Sequence, residues 1–196
     1  MNKTCVRSKD NLNSVGYMPM LAAIKESNLT LMKIKSLNHR GDFQIVEENE
    51  SLLISTYEKN LCNRMTTQIN GHTLTIEPKD NWQSSFQITR DGNHEGEILF
   101  NWNGDIILSA SNEKGRSNWI VRKKGFWSFY FEVQDADENT LIIVQPASFN
   151  SEIYRFDYEI QFLSVEHMTR NELLELLTYI VFGINLYKYK QDNMQI

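Results

Sequence analysis

From Leu29 to Leu163 apolar positions alternate with polar ones in short runs, and from Leu173 to Tyr187 the alternation gives way to an almost unbroken apolar stretch. Alternation with a period of two is the mark of a strand with one buried face. Successive runs predict strands at Leu29–Leu37, Phe43–Glu48, Leu52–Lys59, Met65–Ile69, His72–Ile76 and Gln83–Arg90. Further runs follow at Gly96–Trp102, Asp105–Ser111, Asn118–Lys123, Phe126–Val133, Thr140–Gln145 and Ile153–Leu163. The last is the most regular, with Tyr154, Phe156, Tyr158, Ile160 and Phe162 on one side and Arg155, Asp157, Glu159 and Gln161 on the other. Asn70-Gly71 supplies the positive φ angles of a tight hairpin turn. Asn103-Gly104 and Lys124-Gly125 mark two more hairpins, and Pro146 ends the strand before it. Turns this short exclude parallel crossovers, so the sheet is expected to be antiparallel.

The terminal segment has another period. Thr169 and Glu172 have the spacing of a capping box, in which each side chain accepts a hydrogen bond from the other's backbone N–H. A helix over 169–189 leaves Glu175, Thr178 and Asn185 on one narrow stripe and is apolar in nearly every other direction, which requires burial on most sides. Its apolar run of about 15 residues falls short of the roughly 20 that cross a bilayer, and Glu175 interrupts it. About twelve strands must therefore cover a helix, and an open sheet of that size tends to curl or split. Wrapping the sheet round the helix buries both apolar surfaces and removes the sheet edges. A two-sheet sandwich with the helix outside would need a broader polar face than this helix has. The predicted architecture is a mainly β, antiparallel barrel around a C-terminal hydrophobic helix, formed by residues 29–196. Residues 1–28 are read as a tail or arm, with a short helix possible at Pro19–Ser27. Within the helix, Gly183 lowers helix propensity by about 1 kcal/mol, and close approach of a strand is its expected reason. Glu175 is expected to reach solvent at one barrel mouth, and Lys188 and Lys190 at the other.

The composition narrows the function classes. The chain has 196 residues, 41% hydrophobic and 23% charged, as expected of one globular domain. A net charge of −5 argues against generic nucleic-acid binding. Cys5 and Cys62 form no CxxC pair, and Tyr17–Ile24, broken by Pro19, makes a poor signal sequence. A cytoplasmic protein, peripheral to the membrane if it binds lipid, is expected.

The element order, and above all the run Tyr179-Ile-Val-Phe-Gly-Ile-Asn-Leu-Tyr187, resembles the tubby-like superfamily: the Tubby C-terminal domain, the plant LURP-one-related proteins and the phospholipid scramblases. The resemblance covers residues 29–189. It implies a membrane-associated or partner-binding module more than an enzyme. Tubby domains bind phosphoinositide headgroups through surface Lys and Arg, and scramblases carry an acidic calcium-binding segment before the last helix. The matching stretch here, Ser164-Val-Glu-His-Met168, has a single carboxylate.

Positive charge clusters at Lys114, Arg116, Arg122, Lys123 and Lys124, with Trp119 and Trp127 nearby. This cluster is the candidate contact for an anionic or phosphorylated lipid headgroup; the plainer reading is a solvated hairpin end. Other chemistry finds less support. Asp135-Ala-Asp-Glu-Asn139 lacks the glycine and flanking helices of an EF-hand loop. His39, His72, His94 and His167 are scattered without HxH or HExxH spacing. Gly-x-Ser-x-Gly, P-loop and dinucleotide fingerprints are absent from the sequence. Asp157 and Glu159 share a strand face with Arg155 and Gln161, as an exposed stripe would. No catalytic residue, metal or cofactor is expected. Two functions lead, a non-catalytic lipid-headgroup module or a protein–protein scaffold that uses strand faces and the N-terminal arm; a third, an enzyme using a mouth of the barrel, has no motif behind it.

Overall fold

The computed structural model of the protein describes residues 31–59, 64–80, 83–112, 115–125 and 129–193. The arm at 1–28, both cysteines, Lys114 and Trp127 lie outside these residues. The chain forms β1 (Met32–Ser36), β2 (Phe43–Glu47), β3 (Glu50–Tyr57), β4 (Met65–Ile69), β5 (His72–Pro78) and β6 (Ser85–Arg90). It continues through β7 (Asn93–Phe100), β8 (Ile106–Asn112), β9 (Gly115–Lys124), β10 (Tyr130–Gln134), β11 (Thr140–Asn150) and β12 (Arg155–Phe162) to α1 (Arg170–Asn193). Each strand pairs antiparallel with its sequence neighbours. β1 also pairs with β12, through Lys33↔Glu159 and Ile34↔Tyr158, and this closes the barrel.

The two ends of the barrel differ in their connections. At the end where α1 enters, Glu48-Asn49 (φ 49° and 76°), Asn70-Gly71 (51° and 81°) and Asp91-Gly92 (49° and 83°) are two-residue turns with both central φ angles positive. This is type I′ geometry, whose twist matches that of the strands it joins. The first of these turns has no glycine; Asn tolerates the left-handed region, and the polar stretch Glu48–Ser51 conceals a hairpin. The end where α1 leaves carries longer loops. Asn103-Gly104 lies there, and its turn is not type I′, since only Gly104 has a positive φ, 82°. Instead the Asn101 side-chain oxygen accepts the backbone N–H groups of Asn103 and Asp105, each at 2.9 Å.

Two strand expectations need correction. β11 does not stop at Pro146 but runs to Asn150, with a register shift between Pro146 and Ser148. A bulge absorbs the missing N–H of proline there, and pairing resumes beyond it. Tyr154 does not join the inward face of β12. It sits in the preceding turn at φ 53° with 78% of its surface exposed, while Tyr158 and Ile160 are buried.

α1 passes through the barrel, and contacts reach it from all round. Phe182 stacks on Tyr57 of β3, with centroids 5.8 Å apart, and meets Phe86 of β6 edge-on at 5.1 Å. Gly183 faces Ile106 of β8, and Tyr187 packs against Phe131 of β10. Every residue from Leu176 to Leu186 is buried. The polar stripe is buried with the rest. The Thr178 hydroxyl donates to the Leu174 carbonyl, and Asn185 Nδ2 donates to the Gly41 carbonyl at 3.3 Å. Such pairing is what permits buried polar groups. The capping box forms as expected: Thr169 N–H donates to Glu172 Oε2 at 2.8 Å, and Glu172 N–H to Thr169 Oγ1 at 3.2 Å. Glu175 does not project into solvent; it accepts a 2.6 Å hydrogen bond from Arg90 Nη2 at the rim. Burial raises the Glu175 pKa, although Arg90 draws it back down. At the entry mouth Arg170 also pairs with Glu47 at 2.6 Å.

Candidate functional site

A strand extends its chain by about 3.3 Å per residue, so neighbours in sequence part quickly. Arg116 and Lys123 open and close β9, roughly 23 Å apart on that rise. Alternation divides the cluster again. Lys123 shares the inward parity of the buried Trp119 and Val121, while Arg116, Arg122 and Lys124 point outward. Outside the barrel these three have partners. Arg116 Nε donates to Ser109 Oγ at 2.7 Å. Arg122 donates to Gln134 Oε1 at 2.8 Å and lies 3.7 Å from Asp105. Lys124 lies 3.7 Å from Glu132. Arg116 also borders a cavity of about 300 Å³ at the entry mouth, beside Asp135, Asp137 and Glu172. Lys114 lies outside the described residues. Of the described members of the sequence cluster, Lys123 alone faces the cavity described next.

That cavity, about 370 Å³, opens at the mouth where α1 leaves the barrel. Lys123 of β9, Arg155 of β12 and Lys188 of α1 line it together with Phe129, Phe156 and Tyr158. Three elements distant in sequence thus deliver three cations to one hollow with aromatic walls; among the described residues Asp192 is the one carboxylate in the lining. Lys188 Nζ sits 3.5 Å from the Phe156 ring centroid, 4.6 Å from that of Phe129 and 5.6 Å from that of Tyr158. Lys123 Nζ lies 5.2 Å from the Phe129 centroid. Cations over ring faces at such distances are held by the ring quadrupole.

Burial, aided by repulsion from Lys123 and Arg155 and opposed by Asp192, pushes the Lys188 ammonium down to about 8. Arg155 Nη2 donates to the His39 carbonyl at 2.9 Å, and Arg155 Nε is buried with no hydrogen-bond acceptor among the described residues. An unmet buried donor of a charged group is costly, typically about 1–3 kcal/mol, and an incoming acceptor would relieve it. Arg155 and Lys188 escape a reading of the sequence. Alternation assigns Arg155 to the outer face, and Lys188 looks like a helix-end charge bound for solvent. The two carboxylates that alternate with Arg155 are engaged elsewhere: Asp157 accepts from the Ser36 N–H at 2.9 Å, and Glu159 pairs with Lys33 at 3.1 Å.

Beside the mouth, a second hollow of about 490 Å³ is lined by Phe100, Trp102, Tyr187 and Lys190. Lys190, like Lys188, folds back onto the barrel; its Nζ donates to the Gln83 carbonyl at 2.6 Å and lies over Phe100. Trp102 is fully exposed at this rim, and Tyr154 and Phe149 are exposed on the β11–β12 hairpin of the same end.

At the β10–β11 connection, Asp135 Oδ1 accepts the N–H groups of Asp137 and Asn139, so the loop uses this carboxylate to hold its own shape. Among the described residues no three His, Cys, Asp or Glu side chains gather as a metal site, and no helix is long and apolar enough to cross a membrane. Comparisons with protein-family models, with curated proteins and with solved structures found no match to this chain.

Proposed function

We propose that this protein is a non-catalytic binding module that takes an anionic or phosphorylated lipid headgroup in the mouth where α1 leaves the barrel. The observation that carries this reading is the convergence of Lys123, Arg155 and Lys188 on one cavity, with an Arg155 donor that has no acceptor among the described residues. A phosphate offers several acceptor oxygens and a charge that matches the three cations. Trp102 and Tyr154, exposed around the same rim, are the amphipathic rings that settle at a membrane–water interface, and Phe149 beside them adds apolar surface. The tubby-like resemblance points to the same ligand class, and a closed barrel around a helix is compatible with it. Of the cluster first singled out, Lys123 belongs to this site, whereas Arg116, Arg122 and Lys124 are given the plainer role of keeping the barrel exterior solvated. For the alternative, a protein scaffold, barrel closure matters: it leaves no free strand edge for a partner to extend, so a partner would have to use loops or strand faces.

Co-sedimentation with vesicles of phosphatidylcholine alone, or doped with phosphatidylserine or a phosphoinositide, tests the reading across salt concentrations. Each basic residue near an anionic surface contributes about 1 kcal/mol, so the double variant Lys123→Glu with Arg155→Gln should bind anionic vesicles at least tenfold more weakly. Arg116→Glu, at the opposite mouth, should bind like the wild type. Equal loss in both variants would move the site back to the β9 exterior. Absence of salt-sensitive binding to every vesicle would end the headgroup reading.

A further inference from the structure

We propose that Lys188 is a nucleophilic lysine that captures a small carbonyl compound bearing a phosphate or carboxylate, as an imine, in the aromatic mouth of the barrel. The inference rests on the anion-binding reading of the same cavity and assigns it a covalent chemistry.

Its basis is geometric. Lys33, Lys79 and Lys124 on the barrel exterior each lie within 3.7 Å of a carboxylate. Lys188 has no such neighbour among the described residues; its Nζ is packed over Phe156, Phe129 and Tyr158 instead. It projects from the last turns of a helix whose preceding residues are buried in the barrel, so its position is fixed by a rigid element. In front of it lies a cavity of about 370 Å³, large enough for a small ligand, and Lys123 and Arg155 stand beside it. A lysine desolvated among apolar groups and crowded by other cations is one of the ways proteins make an amine nucleophilic. The charged and titratable groups facing Lys188 are Lys123 from β9, Arg155 and Tyr158 from β12, and Asp192 from α1. With the ammonium lowered to about 8, roughly one lysine in ten is neutral at pH 7, against under one in a thousand for an ordinary lysine.

The step balances without an oxidant or reductant. Lys123 and Arg155 hold the anionic group. The Nζ lone pair forms a bond to the carbonyl carbon, and the C=O π pair moves to oxygen, which takes up the proton released from nitrogen. The resulting carbinolamine loses its hydroxyl and the remaining N–H proton as one water, leaving C=N. The reaction is reversible by hydrolysis.

Pyridoxal 5′-phosphate, an anionic aldehyde, serves as the probe on the full chain. Brief exposure, borohydride reduction and peptide mapping measure the labelling rate of each lysine. Labelling of Lys188 should exceed the mean of the other lysines at least tenfold, rise with pH toward a midpoint near 8, and fall when pyrophosphate competes. Arg155→Gln removes one repelling cation and so should slow both reactions of Lys188 somewhat, but labelling by pyridoxal 5′-phosphate, which also loses its anion contact, should fall severalfold more than reductive methylation by formaldehyde and cyanoborohydride. Lys188→Met, which retains an unbranched side chain among the rings, should remove the fast site alone. Labelling spread evenly over the lysines would overturn the proposal, even if anionic vesicles still bind at this mouth. Fast labelling of Lys188 by both aldehydes with no protection by pyrophosphate would keep the nucleophile and overturn the anion pocket.

Discussion

Gly183 sits in the middle of the buried helix, where the missing side chain has a measurable consequence. A Cβ built on Gly183 would lie 2.8 Å from Ile106 Cγ2 and 3.1 Å from its Cδ1. Carbon atoms in contact prefer about 3.5–4.0 Å, so the overlap at Cγ2 is roughly 0.7 Å. Ile106 is 1% exposed and lies in β8 between β7 and β9, with little room to yield. Gly183→Ala should therefore cost about 1–3 kcal/mol through overpacking. Against this, alanine in a helix interior gains about 1 kcal/mol over glycine. The net expectation is a destabilisation of up to about 2 kcal/mol, although alanine is the better helix former. Ile106→Ala alone should cost about 2–5 kcal/mol, because it leaves a cavity against the helix. In that background the new methyl meets no isoleucine branch, and Gly183→Ala should turn stabilising by about 1 kcal/mol. The double-mutant cycle thus predicts a coupling of about 1–3 kcal/mol and a reversal of sign. Urea unfolding followed by tryptophan fluorescence and circular dichroism, once reversibility is checked, gives all four stabilities. For a domain of this size 1 kcal/mol corresponds to about 2–4 °C in Tm, so thermal scans provide a second reading. If Gly183→Ala has the same sign and size in both backgrounds, the strand does not explain the glycine.

Two further outcomes follow from the same packing. Ile180 is fully buried in the helix, so Ile180→Asp should cost several kcal/mol and leave little folded protein; a soluble, cooperatively unfolding Ile180→Asp variant would contradict a helix in the barrel lumen. The Lys188 ammonium ordinarily titrates near 10.5 and is lowered to about 8 in the fold, so between these values the unfolded chain binds more protons than the native one. Stability of the wild type relative to Lys188→Met should accordingly rise from about pH 8 to 10.5 and stay flat between pH 6 and 7.5; a flat difference across the higher range would show that the amine is not desolvated.

The features legible in the sequence are those that depend on near neighbours along the chain. A period of two in Phe86-Gln-Ile88 or Tyr158-Glu-Ile160 places side chains on alternate faces whatever strand lies alongside. Asn70-Gly71 specifies a turn through its own φ angles, and Thr169 with Glu172 caps a helix through bonds spanning three residues. Even the barrel follows, because a helix apolar all round has to be covered and an antiparallel sheet of this size is what remains to cover it. Local rules falter where the neighbour that decides is remote. Pro146 reads as a stop, yet pairing with β12 carries β11 past it. Tyr154 reads as one of an inward row, yet the turn before β12 flips it into solvent. The candidate site lies largely in this second category, although the sequence singles out Lys123 and brings Lys188 to the same mouth. Arg116 to Lys124 is a cluster only as text, since an extended strand carries Arg116 and Lys123 roughly 23 Å apart and alternation sends its charges to opposite faces. Lys123, Arg155 and Lys188, separated by 32 and 33 residues, meet because the strands from β9 to β12 curve round the barrel wall and α1 runs back through the lumen to the far mouth. Barrel closure and the threading of the helix are long-range contacts, and only they could bring three cations against one aromatic wall.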